Sequence, residues 1–299
     1  MPSAFRGRSP FPDRSPAGTM TVMHRIGLLV PSSNTTMETE VPALLRAREL
    51  VRPEDAFTFH SARLRMEDVT PEGLRAMNEE TGRATAELAD LRPDVIATAC
   101  LVAIMAEGPG RHCAAESEIE SVLEREHAPA PVVSSAGALV EALHALGARR
   151  IGIVAPYLEG LTGLVVAYIE DAGVEVTDAI SLEVPDNRAV AALDPHDLEE
   201  HWRRLDLRGC DALVLSACVQ MRSLEVLDEV ERRSGLPTVS AATATTWAIL
   251  RALDLEPVAP GAGALLRGAP EARLKGSSPD RRPGANRPST RCSLPRRTA

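Results

Sequence analysis

The same phrases occur twice in this chain, in the same order. RIGLLVPSSN at 25 returns as RIGIVAPYLE at 150, DVIATAC at 94 as DALVLSAC at 211, and PVVSSAGALVEAL at 131 as PTVSAATATTWAIL at 237. Three matched anchors in one order mark an internal duplication. The offsets shrink from 125 to 118 (between Cys100 and Cys218) to 106 residues, so the two halves differ mainly in loop length. Short β-branched apolar runs predict strands at 25–30, 57–64, 94–98, 131–134, 150–155, 174–183, 211–216 and 236–240. Helical patterns fall between them at 71–91, 113–127, 137–147, 160–172, 195–206, 223–234 and 243–253. Strands that alternate with helices imply parallel sheets joined by right-handed crossovers.

The expected fold class is therefore α/β, with two domains related by a pseudo-twofold axis. Each holds a four-stranded parallel sheet flanked by helices. Ligands of such sheets bind beyond the carboxyl ends of the strands. If the halves face each other, both sets of strand ends open into one inter-domain cleft, and Cys100 and Cys218 flank it. The expected boundaries are a disordered extension over 1–22, a first half over 23–136 and a second over 137–241. A C-terminal helix over 242–262 packs back on the body, and a disordered basic tail follows over 263–299. Trimming to 23–262 is expected to keep fold and activity, because the flanks lack apolar periodicity.

The net charge of −9 hides a division: residues 1–22 carry +2 and residues 261–299 carry +7, which leaves −18 on the body. So acidic a body argues against a nucleic-acid partner. The basic tail lacks interleaved aromatics, which favours disorder over nucleic-acid binding. No apolar run approaches the roughly 20 residues that cross a bilayer. The first 20 residues hold no continuous apolar segment of a secretory signal, so a cytoplasmic protein is expected. Five cysteines, an odd number, suggest free thiols rather than a disulfide framework. No CxxC or clustered Cys/His spacing points to a metal. Cys113, Cys210 and Cys292 read as structural or exposed.

An isolated cysteine at a strand end is more often a small buried hydrophobe than a catalyst. Two equivalent cysteines after equivalent strands are a different matter. Each is followed by helix-forming sequence, which suits a thiolate stabilised by backbone N–H groups and a helix start. PSSNTT, with Ser33 and Asn34, suits either a bound carboxylate or a helix N-cap. Its repeat partner places Tyr157, whose phenol donates to an anion, whereas Tyr168 falls on an apolar helical face and reads as core. Asn187 is expected in a loop as a mobile polar contact or a surface turn. SSAGAL and SAATATT offer anion contacts or plain N-caps. No glycine-rich phosphate loop or GxSxG elbow occurs.

The phrases GLLVPSSNTTMETEVPALL, ACLVAIM, APY, PDN and SACVQM, followed by SAATATTWAILRAL, closely resemble the maleate cis–trans isomerases. These belong to the aspartate/glutamate racemase superfamily, together with the arylmalonate decarboxylases. The resemblance covers residues 24 to about 262. It implies that Cys100 adds to a double bond and that Cys218 is the acid/base. It further implies that Asn34, Tyr157 and Asn187, with Ser33 alongside, hold two carboxylates, while Val102 and Val219 shape the pocket. No cofactor and no metal are implied; the partner is a small dicarboxylate, and a homo-oligomer (dimer or tetramer) is expected. The decarboxylase branch keeps only the second cysteine, so two cysteines favour an isomerase. A cofactor-independent Asp/Glu-type racemase and a catalytically idle dicarboxylate-binding protein remain as alternatives.

Overall fold

The computed structural model describes residues 21–66 and 69–268. The expectations of disorder for residues 1–20 and 269–299, and the reading of Cys292, lie outside the described residues. Eight strands form the sheets: β1 (Val22–Pro31), β2 (Asp55–Leu64), β3 (Val95–Thr98), β4 (Val132–Ser134), β5 (Arg150–Ala155), β6 (Glu175–Ser181), β7 (Ala212–Ser216) and β8 (Thr238–Ser240). They build two four-stranded sheets of identical order, β2-β1-β3-β4 and β6-β5-β7-β8. All pairings are parallel. The inner strands β3 and β7 are buried along their whole length, which is why they read as unbroken apolar runs rather than alternating ones.

The helices are α1 (Met37–Val51), α2 (Pro71–Glu79), α3 (Thr81–Ala89), α4 (Leu101–Met105), α5 (Arg111–Arg125) and α6 (Ser135–Ala145) in the first part of the chain. They continue with α7 (Glu159–Asp171), α8 (Asn187–Ala192), α9 (Leu198–His201), α10 (Leu224–Ser234) and α11 (Ala241–Ala252). Two predicted helices are interrupted. The 71–91 stretch splits at Glu80, where the weak helix formers Thr81 and Gly82 follow. The 195–206 stretch is a single α-turn between two 3-10 turns; Asp194 caps its start and Pro195 stands first. Asn187 does not sit in a loop: it opens α8, because Asp186 accepts the Arg188 N–H as a cap.

The starts of α6 and α11 are plain N-caps. Ser134 Oγ accepts the Gly137 N–H, and Ser240 and Thr243 form a reciprocal capping box. Helix α11 leaves the second sheet and packs on α1, α6, β3 and β4 of the first part of the chain. The two halves therefore share one core instead of touching at a rim.

The packed body runs past 262. A 3-10 turn at Ala264–Leu266 buries Leu265 and Leu266. The N–H groups of Gly263 and Ala264 donate to Asp228 and Glu231. A chain cut to 21–268 should keep its thermal transition, whereas one ending at 262 loses both leucines. Each buried leucine removed costs about 2–5 kcal/mol, enough to lower Tm by at least about 4 °C. Differential scanning calorimetry checks this, and equal Tm values for the two cuts would show that the turn contributes nothing.

Cys100, Cys210 and Cys218 are free. Cys113 is half-exposed on α5. Among the described residues, no cluster of three or more His, Cys, Asp or Glu side chains has metal-holding geometry. No described helix is long and apolar enough to cross a membrane.

Candidate active site

Both cysteines follow their strands by the same device. The Ala99 N–H extends β3 by donating to Leu29 O, and the Ala217 N–H extends β7 by donating to Val154 O, each at an ordinary length. The next residue in each case is the cysteine. The symmetry stops there. Cys100 has φ 91° and ψ 64°, in the left-handed region, and stands at the start of the single-turn helix α4. Such a conformation is strained for a residue with a Cβ and collects at functional sites. Cys218 is not among the residues with positive φ. Its turn is held instead by Ser216 Oγ, 3.0 Å from the carbonyl oxygens of Cys218 and Met221.

Cys100 and Cys218 line one cavity together with Asn34, Val102, Tyr157, Asn187, Val219 and Gln220. Among the described residues, no Asp, Glu, Lys or Arg lines it. The free space is ≈ 20 Å³, room for the centre of about one water, so a diacid must displace the walls to enter. A larger hollow of ≈ 850 Å³ beside Asp228 and the Gly261–Gly263 turn holds no thiol.

The polar residues are oriented by the fold. Asn34 is buried, and its Oδ1 accepts the Thr36 and Met37 N–H groups at 3.0 Å, which leaves Nδ2 to donate. The Asn34 carbonyl accepts Arg63 Nη1 at 2.6 Å, which holds the β1–α1 loop in place. Asn187 Nδ2 donates to Ser33 Oγ at 2.8 Å, joining the two halves. Val102 and Val219 are buried apolar walls. Gln220, read only as context in SACVQM, also lines the cavity. Its signal was a lone amide between Val219 and Met221, in an otherwise apolar phrase.

Burial governs the thiols. It pushes Cys100 up to about 12, against one N–H from Ala103, and the charge of a Cys218 thiolate would push the same way. Burial also raises Cys218, opposed by the Tyr157 hydroxyl and the N–H groups of Gln220 and Met221. The expectation of thiolates stabilised at helix starts is corrected here. Helix α4 has only five residues, and desolvation of a charged sulfur outweighs its few N–H groups. Burial thus favours the neutral thiol of Cys218.

Burial, then the neighbouring cysteines, raise Tyr157 well above the ordinary phenol, so it stays neutral and has one proton to donate. The hydroxyl donates to Ala217 O at 3.2 Å, beside Cys218. A ligand carboxylate or the Cys218 thiolate must compete for it. Tyr157→Phe removes this donor, and losing a hydrogen bond to a charged group costs about 1.5–3 kcal/mol. Catalytic efficiency should fall about ten- to a hundredfold. Steady-state kinetics checks this, and an unchanged value would mean that the hydroxyl never leaves Ala217.

Duplicated α/β halves each send one thiol into a single cavity, an arrangement of the two-cysteine α/β enzymes. A family model described as arylmalonate decarboxylase matches residues 26–266. The maleate isomerase of Pseudomonas putida is 56% identical over 250 residues, which are 84% of this chain and 100% of that protein. The maleate isomerase of Geobacillus stearothermophilus is 52% identical, over 82% of this chain and 97% of that protein. A structure of a Pseudomonas putida maleate isomerase variant with maleate has a TM-score of 0.82 at 50% identity, covering 83% of this chain and 99% of its own. A Cys-to-Ser variant of the Nocardia farcinica maleate cis-trans isomerase, with a covalently bound succinylcysteine intermediate, has a TM-score of 0.80 at 49% identity. It covers 82% of this chain and 99% of its own. The chain belongs to the arylmalonate decarboxylase family, on its maleate isomerase branch.

Proposed function

We propose that this protein isomerises maleate to fumarate by reversible addition of a cysteine thiolate to the double bond, without a cofactor. The observation that carries this is the pair of thiols, one from each half, lining one cavity whose other described polar groups are the neutral Asn34, Tyr157, Asn187 and Gln220. The double bond of maleate does not rotate. When Cys100 Sγ bonds to C2, the π pair moves to C3 and into its carboxylate as an enediolate, and C2–C3 becomes a single bond. Cys218 gives its proton to C3. After rotation, the Cys218 thiolate removes a proton from C3, the S–C2 bond breaks and its pair returns to the Cys100 sulfur. Fumarate leaves.

In this reading Asn34, Asn187, Tyr157 and Ser33 hold the carboxylates, and Val102 and Val219 keep the reacting carbons dry. The body is acidic at −18, so a dianion is captured by local N–H and O–H donors, not by long-range attraction. Among the described residues, no carboxylate lines the cavity to hold the α-ammonium group of a racemase substrate. An idle binding protein has no use for a strained cysteine facing a second one.

The free thiols favour a reducing, cytoplasmic setting. Exposed Leu50 and Val51 at the end of α1 supply apolar surface for a homo-oligomer, which sedimentation would measure. The halves divide near 136, with α11 returning from the second half to the first. Proton NMR of maleate incubated with chelator-treated protein tests the main reading. Fumarate should appear, with no racemisation of aspartate or glutamate by chiral chromatography. Bound but unconverted maleate would leave only the idle binder.

A further inference from the structure

Two residues beyond Cys218, Gln220 is 1% exposed, and every hydrogen-bonding position of its side-chain amide is filled. Its Oε1 accepts the N–H groups of Thr35 at 2.9 Å and Thr36 at 3.4 Å. Its Nε2 donates to the carbonyls of Ser33 at 3.0 Å and Asn187 at 2.9 Å. Its backbone takes part as well: the carbonyl accepts the Thr36 hydroxyl at 2.8 Å, and the N–H is directed at the Cys218 thiol. One residue thus touches the loop that holds Asn34, the start of α8 and the acid thiol.

We infer that Gln220 is a positioning residue that locks the Ser33–Thr36 loop of the first half in register with the Cys218 turn of the second. This rests on the isomerase reading, in which the first half supplies the nucleophile and the second the acid. The Cys100 adduct is fixed to the first half by its sulfur and, in that reading, by Asn34. Cys218 must then face C3 across the junction, both to deliver a proton and to remove one. Only contacts spanning the junction fix that distance. Of these, the Asn187–Ser33 bond is a single link, Glu40 on α1 accepts the Ser223 and Leu224 N–H groups, and the Tyr168 hydroxyl accepts the His112 N–H. Among the described residues, Gln220 is the one that joins both loops and the thiol. A fully satisfied buried amide is also rigid, because any rotation breaks several bonds at once.

The test uses the full-length protein carrying Gln220→Leu, Gln220→Glu or Gln220→Asn, with intact-protein mass spectrometry of acid-quenched turnover beside steady-state kinetics. Gln220→Leu fills the space without the bonds, and Gln220→Glu keeps the shape but loses the paired donors. A misplacement of about 1 Å costs on the order of a hundredfold, so kcat per folded site should fall by about ten- to a hundredfold. Succinyl-Cys100 should accumulate, because its exit needs Cys218, while Gln220→Asn should recover part of the rate and carry less adduct. Where the leucine variant does not fold, the glutamate variant decides. A lower Tm with unchanged kcat per folded site, or a lower kcat with no more adduct than wild type, would overturn the inference. Failure of the isomerase reading itself shows separately, as maleate that the wild-type protein binds but leaves unconverted, however the Gln220 variants behave.

Discussion

Cys100→Ala is expected to abolish isomerisation, lowering kcat by about a thousandfold or more, the scale of losing a covalent nucleophile. Fold and maleate binding should survive, because alanine fills most of the space and the polar donors stay in place. The same cysteine should show an unusual pH dependence. With its thiol pushed up to about 12 by burial, the reactive thiolate is rare at neutral pH in the free protein. Its population grows about tenfold per pH unit until the titration is reached. Iodoacetamide labelling of Cys100 should therefore climb steadily from neutral to alkaline pH, with maleate protecting it throughout. The buried thiol of Cys210 serves as the internal control. Near wild-type turnover by the alanine variant would sink the nucleophile assignment. A labelling curve already flat at neutral pH would show that some positive influence outweighs burial at Cys100.

The duplication made the sheets legible. Three of the four strands of one half had a matched counterpart in the other, and the inner strands are buried enough to read as continuous apolar runs. The positions of the two thiols were legible for the same reason, since only matched strand ends turn two ordinary buried cysteines into a pair. Elements that depend on a single cap were not legible: Asp186 starts α8 at Asn187, and Asp194 with Pro195 opens the broken 195–204 segment. Nor was the left-handed backbone of Cys100, where no glycine or asparagine announces it. Gln220 showed only as a lone amide, because its contacts to the first half reach 184 to 187 residues back along the chain. The direction of the thiol shifts was missed because local helix electrostatics can be read from sequence, while desolvation depends on packing from both halves.

Cys218→Ala should be severely impaired, by about a hundredfold or more if general acid–base transfer supplies its usual share, and an isotope shows why. Burial favours the neutral thiol of Cys218, while the Tyr157 hydroxyl and the N–H groups of Gln220 and Met221 stand ready for its thiolate. That is the environment of a group that gives a proton away and takes one back. If it protonates C3 while Cys100 Sγ bonds to C2, the adduct carries two hydrogens on C3. In deuterium oxide one of them is a deuteron, delivered through the exchangeable thiol. Returning this deuteron to Cys218 regenerates maleate. Rotation about C2–C3 instead brings the original hydrogen to Cys218, and its removal gives fumarate with the deuteron retained. Early fumarate should therefore carry one deuterium, and the thiol must exchange with solvent between turnovers, when the cavity opens to release product. The competing route leaves C3 unprotonated: the enediolate rotates, expels the Cys100 sulfur and gives unlabelled fumarate. Mass spectrometry of product collected before fumarate re-enters the site separates the two. Unlabelled fumarate would remove the acid/base role from Cys218 and leave it an electrostatic neighbour, with Cys100 still the nucleophile.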